Sequence, residues 1–195
     1  MERRYFIMSM IKVENLTFSY PSSCDNIFED VSFQIDTNWK LGFVGRNGSG
    51  KSSLLKLLVG EELEYTGTVT IGSGLIISYV PQNTSHLQGR LHSFAAEHHI
   101  DESLFKAVLR KMDFERIQFE KDISNFSEGQ KKKVLIAKSL CEQAHLYVWD
   151  EPLNFIDIYS RIQIEQLIKE FSPAMIFVEH DKAFRDGIST KIISL

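Results

Sequence analysis

The run Gly45-Arg46-Asn47-Gly48-Ser49-Gly50-Lys51-Ser52 sets three glycines, a lysine and a hydroxyl at the spacing of a phosphate-gripping loop. Glycines let the backbone turn its N–H groups inward onto an oxyanion, and a helix beginning at the lysine adds a partial positive charge. In that arrangement Lys51 reaches the β- and γ-phosphates of a nucleoside triphosphate. Ser52 ligates Mg²⁺, and Ser53 continues the cradle. A second chemical signal is Leu146-Tyr147-Val148-Trp149-Asp150-Glu151, an apolar strand that delivers two adjacent carboxylates at its carboxyl end. Asp150 suits Mg²⁺, and Glu151 suits the polarisation of an attacking water. A third is Met175 to Val178, which ends in Glu179-His180-Asp181 and so brings a histidine to the same edge. A Gly-rich turn with a capping serine could share the first pattern, and two acids before Pro152 could merely open a turn. Their occurrence together favours chemistry.

These loops need strands and helices to hold them. Ile11 to Phe18 and Val31 to Ile35 alternate apolar and polar residues and predict antiparallel strands with one wet face. Leu41 to Val44 is a short apolar run that reads as a buried strand entering the Gly45 loop. Ser52 to Val59 predicts a helix closed by Gly60, and Gly67 to Ile71 and Leu75 to Val80 return to strand. Leu87 to Lys121 changes to helical spacing with several charges, as an inserted helical subdomain would. From Glu128 the order is helix, strand, helix, strand, short helix, strand. Strands alternating with helices imply a largely parallel sheet covered on both faces.

With 43% hydrophobic and 25% charged residues, the chain has an ordinary globular balance, and its length favours one domain. A formal charge of −4 gives no overall basic footprint for nucleic acid. Lys131-Lys132-Lys133 is read accordingly as a solvated helix face rather than an RNA contact. Cys24 and Cys141 lack metal-ligand or disulfide spacing, which fits a reducing cytoplasm. Met1 to Ile11 has two arginines and a short apolar run, but Lys12 and Glu14 end it without a small-residue cleavage site, so it reads as a ragged lead into the first strand. No apolar run approaches the roughly 20 residues that span a bilayer.

Four further segments complete a resemblance to the ATP-binding cassette (ABC) superfamily, covering the chain from about Met10 onward. Tyr20 resembles the aromatic that stacks on adenine. Gln82, in Tyr79-Val80-Pro81-Gln82, resembles the glutamine that links Mg²⁺ and the γ-phosphate to the helical subdomain. Phe126-Ser127-Glu128-Gly129-Gln130 resembles the family signature, whose Ser127, Gly129 and Gln130 positions close over the nucleotide of an opposite subunit. Asn154-Phe155-Ile156-Asp157 resembles the loop that follows, with Asp157 at its last position. The resemblance implies an α/β P-loop NTPase: one ABC nucleotide-binding domain over 1–195, with an antiparallel β subdomain, a catalytic core of 10–86 and 127–195, and a helical subdomain of 87–126. It also implies ATP and Mg²⁺ as ligands and a head-to-tail pairing with a second copy or cassette.

Glu128 departs from the glycine usual there and is expected to cost some ATP affinity or to face solvent. Asp150-Glu151-Pro152-Leu153-Asn154-Phe155-Ile156-Asp157 is similar to the second cassette of ABC-F proteins, particularly the Lsa-like branch that protects ribosomes from lincosamide, streptogramin and pleuromutilin antibiotics. Phe177 to Phe184 supports the same branch. That likeness implies a shortened, single-cassette ATPase at the ribosome. A transporter motor subunit with a membrane permease partner, and a nucleotide-binding relic without turnover, are the alternatives.

Overall fold

The computed structural model describes residues 9–21, 23 and 25–195; the expectations for the segment before Ser9 and for Cys24 lie outside these residues. A three-stranded antiparallel sheet has the order β2-β1-β4, formed by β1 (Ile11–Phe18), β2 (Phe28–Ile35) and β4 (Tyr65–Ile71). Ile11 faces Ile35 on one side and Ile71 on the other. The buried positions of β1 are Ile11, Val13, Leu16 and Phe18, which breaks strict alternation after Val13. A bulge absorbs the extra residue. Both ladders shift register there, Asn15 takes φ 51°, and its side chain donates to Asp30 at 2.5 Å. Asn tolerates that left-handed conformation better than most residues, so all four apolar side chains stay on the core face.

The second sheet is parallel throughout, in the order β5-β6-β7-β3-β8. Its strands are β3 (Lys40–Val44), β5 (Ile77–Val80), β6 (Leu146–Asp150), β7 (Met175–Val178) and β8 (Lys191–Ser194). Every residue of β7 is buried, as a central strand covered on both faces requires. The helices are α1 (Lys51–Leu58), α2 (Leu91–Glu97), α3 (Glu102–Lys111), α4 (Glu128–Cys141), α5 (Ile158–Phe171) and α6 (Lys182–Ile188).

Period-2 alternation divides the parallel strands between two apolar cores. Leu146, Val148, Ile176 and Val178 join Leu54 and Leu58 of α1 and the inner face of the antiparallel sheet. Trp149, Met175 and Phe177 join the helices on the opposite face, among them Phe105 and Leu109 of α3, Ile136 of α4 and Ile164 of α5. Each such buried side chain stabilises the fold by about 1.5–3 kcal/mol. The segment 87–126 therefore shares its core with α4 and α5, and Ile123 N–H bonds the Gly89 carbonyl at 2.8 Å, tying its two ends together. Because all five strands run the same way, the loops after β3, β5, β6 and β7 leave from one carboxyl edge.

Candidate active site

Gly50 caps α1 with φ 84°, a left-handed conformation that favours glycine. A Cβ there would also come within 2.5 Å of Ile27 and 2.7 Å of Phe28. Both constraints keep the loop backbone packed against Ile27 and Phe28. Lys51 is only 6% exposed, and its ammonium donates to the carbonyls of Gly45 (3.0 Å) and Arg46 (2.8 Å). The loop thus holds its own cation in place. Ser52 Oγ donates to Asp150 Oδ1 at 3.1 Å, joining the first helix to the end of β6. A cleft of about 530 Å³ opens above, lined by Tyr20, Asn47, Gly48, Gly50, Lys51, Ser52, Ser53, Gln82, Glu151 and His180, together with Ile27 and Asn154. Tyr20 packs edge-on against Phe18 at 4.9 Å and shares a 2.7 Å hydrogen bond with Ser53, leaving its ring at the mouth of the cleft.

Asp150 is 1% exposed. Burial pushes its carboxyl above the ordinary range, and the charge of Glu151 adds to this, while the Ser52 hydrogen bond and Lys132 act against it. A carboxyl whose folded pKa is raised contributes stability below its unfolded pKa and loses it as pH rises through the folded value. Asp150→Asn is therefore expected to raise the unfolding temperature of the nucleotide-free protein at pH 7. The gain fades as pH falls through the raised folded value and is gone below the ordinary carboxyl value of 3.8, where Asp150 is protonated in both states. Differential scanning calorimetry across that range checks it, and a lowered unfolding temperature at pH 7 contradicts it.

Glu151 follows with φ 48°, a turn that swings its carboxylate toward the cleft. Its Oε2 accepts from Gln82 Nε2 (2.7 Å) and Asn154 Nδ2 (2.5 Å), and its Oε1 lies 3.3 Å from His180 Nε2. Three loops meet on one carboxylate. The buried Glu179 accepts the N–H groups of Leu153 (3.1 Å), His180 (2.7 Å) and Asp181 (3.1 Å), so it pins the loop after β6 to the loop after β7. Sequence reasoning passed over Glu179 and Asn154 as site residues; an acid at the end of a wholly apolar strand was the available signal.

The sequence profile described as ABC transporter matches residues 28–154, which take in the phosphate loop, Gln82 and the acid pair. The chain belongs to the ABC transporter family. It is an ATP-binding ATPase domain of that family, with the mixed parallel and antiparallel sheets of an ABC-type P-loop fold. It is 30% identical to ABC transporter F family member 2 of Arabidopsis thaliana, covering 96% of this chain and 28% of that protein. It is 28% identical to the energy-dependent translational throttle protein EttA of Haemophilus influenzae, over 94% of this chain and 34% of that protein. Against the zinc import ATP-binding protein ZnuC of Ehrlichia chaffeensis the identity is 28%, over all of this chain and 83% of that one. Among solved structures, an ATP-binding subunit of an ABC transporter superposes with TM-score 0.76 at 22% identity, covering 96% of this chain and 86% of its own. The chain spans roughly a third of the length of the ABC-F relatives it matches.

Within this ABC domain the remaining predicted residues lie away from the cleft lining. The Gly45 carbonyl serves Lys51, and the Ser49 hydroxyl is buried without a hydrogen-bond partner among the described residues. Ser127 and Gln130 form a reciprocal capping box on α4: Gln130 N–H donates to Ser127 Oγ (3.3 Å) and Ser127 N–H to Gln130 Oε1 (3.0 Å). Gly129 packs so closely on the Phe155 carbonyl that a Cβ would overlap it.

Asp157, at the last position of the loop after β6, caps α5 through Ser160 N–H (2.8 Å) and pairs with Lys133 (2.8 Å). Burial acts to raise its pKa, but the Lys133 and Ser160 hydrogen bonds outweigh this and hold the carboxyl well below the usual carboxylate range. The lysine triplet is not a solvated face: Lys132 and Lys133 are both buried, and Lys131 bonds Glu128 at 3.4 Å. Glu128 keeps a side chain that is 52% exposed, in line with a solvent-facing position, while its carboxylate also accepts from Thr84 in the loop after β5. That hydrogen bond, followed by Lys131, pulls its pKa down despite some desolvation.

Proposed function

We propose that the cleft binds Mg-ATP and that Glu151 directs its hydrolysis. The observation that carries this is the meeting of Gln82, Asn154 and His180 on the Glu151 carboxylate, beside the Lys51 and Ser52 cradle. Lys51 and the loop N–H groups grip the phosphates, and Tyr20 supports the adenine. Ser52, Asp150 and Gln82 offer hard oxygen donors that fit Mg²⁺, with Ser52 and Asp150 already in contact. Mg²⁺ supplies charge neutralisation on the phosphates when bound. Glu151 accepts a proton from water as it attacks, and His180 holds that carboxylate and the γ-phosphate end.

In this reading 1–195 acts as one cassette, with 87–126 as its helical subdomain, and needs a second cassette, either another copy or a different one, placed head to tail. Ser127, Gly129 and Gln130 of one then cover the nucleotide of the other, with the Asp157 turn at the seam. The apolar side chains beside this surface support it: Phe155 is 78% exposed and Ile158 is 76% exposed.

For the whole protein we place the ATPase at the ribosome in the cytoplasm, with antibiotic protection as the finer role. The likenesses to an ABC-F protein and to the translational throttle protein EttA support this, together with the Leu153 to Asp157 wording. Among the described residues no helix is long and apolar enough to cross a membrane. Sedimentation of the protein with a non-hydrolysable ATP analogue through a sucrose cushion is expected to carry it down with ribosomes. The length match to ZnuC favours a second reading, a motor subunit on a membrane permease. Pelleting with membranes alone would select that reading instead.

A further inference from the structure

Lys132 lies in the second turn of α4, yet it is only 2% exposed. An ammonium withdrawn from water is costly unless its donors are satisfied, and Lys has three. Its Nζ approaches three main-chain carbonyls, at Pro81 (2.9 Å), Gln82 (3.2 Å) and Asp150 (3.4 Å). Two of those residues present their side chains where chemistry is expected: Gln82 to Glu151, and Asp150 to Ser52. One atom therefore fixes the backbone beneath both. Burial lowers the pKa of Lys132, while Asp150, Glu151, Glu179 and Glu128 act to raise it. Four residues back on the same helix, Glu128 takes the Thr84 hydroxyl as a second hold on the loop after β5.

We propose that Lys132 is a positioning residue for ATP hydrolysis, locking the Gln82 loop and the end of β6 to α4 so that Gln82 and Glu151 stay in register. This rests on the hydrolysis reading above. It assigns α4 a task within its own subunit, in addition to the one proposed above for Ser127 and Gly129 toward a second cassette. An incoming γ-phosphate that moves Gln82 would move α4 with it.

The test uses the purified protein and Lys132→Met, which keeps length but loses charge and donors, with Lys132→Gln restoring donors alone. Hydrogen–deuterium exchange of the nucleotide-free protein is expected to speed up in Lys132→Met in two peptides, those containing 81–85 and 151–154, with β7 unchanged. Turnover is expected to fall by about tenfold or more with KM for Mg-ATP within about threefold, as misplacement without lost binding does. Lys132→Gln is expected to recover part of both. Faster exchange spread over the whole chain, unchanged exchange in both peptides, or a rise in KM with kcat intact would each overturn the proposal. If Lys132→Met does not fold, Lys132→Gln against the parent gives the same two readouts at smaller amplitude. A parent without ATPase activity would sink the hydrolysis reading, whereas the exchange measurement still decides whether Lys132 ties the two loops.

Discussion

Lys51→Ala is expected to weaken Mg-ATP binding by roughly 100-fold, measured by titration calorimetry. The ammonium is nearly buried and already oriented by the carbonyls of Gly45 and Arg46, so it is poised before any ligand arrives. A charge-assisted hydrogen bond is worth about 1.5–3 kcal/mol, and the phosphates here would lose a cation in a site partly shielded from water. The same change removes two hydrogen bonds within the loop, so some loss of stability accompanies it. Lys51→Arg separates the effects, because it retains charge but brings a planar fork where a compact ammonium fits. Binding by Lys51→Ala as tight as the parent would mean that the loop does not hold phosphate.

Much of the fold was legible because the informative residues act locally. Apolar runs ending in glycine at Val44-Gly45, in acids at Trp149-Asp150 and in Glu179-His180 mark strand ends directly, and parallel strands must send those loops to one edge. The bulge at Asn15 was visible only as a stumble in alternation, since its meaning depends on β2 and β4 lying on either side. Lys132 was misread for a deeper reason. A lysine triplet looks hydrated by composition, and nothing local announces a slot lined by carbonyls from residues 50 positions away and more. The Glu128 contact was hidden for the same reason, for its partner Thr84 is 44 residues distant. The capping role of Asp157 had a cue nearby: an acid three residues before Ser160 at a helix start is an ordinary N-cap, worth about 1 kcal/mol.

Glu151→Gln is expected to abolish turnover, by about 100-fold to 10,000-fold, while leaving Mg-ATP binding intact. The geometry makes this substitution unusually clean. Gln82 and Asn154 both donate to Oε2, so a glutamine oxygen in that place keeps both hydrogen bonds. Its amide would then face His180 Nε2, which can accept when the imidazole proton sits on Nδ1. What disappears is the basic oxygen that takes a proton from water. Lys51, Ser52 and Asp150 remain as they were, so the nucleotide should bind and stay. If Ser127 and Gly129 of another cassette close over it, trapped ATP should hold two copies together, because hydrolysis no longer releases them. Gel filtration with light scattering, with and without Mg-ATP, reads this directly: a dimer with nucleotide and a monomer without it. A monomer under both conditions, at concentrations where calorimetry shows ATP bound, would mean that the Ser127 turn covers nothing and that the Phe155 and Ile158 surface serves another partner.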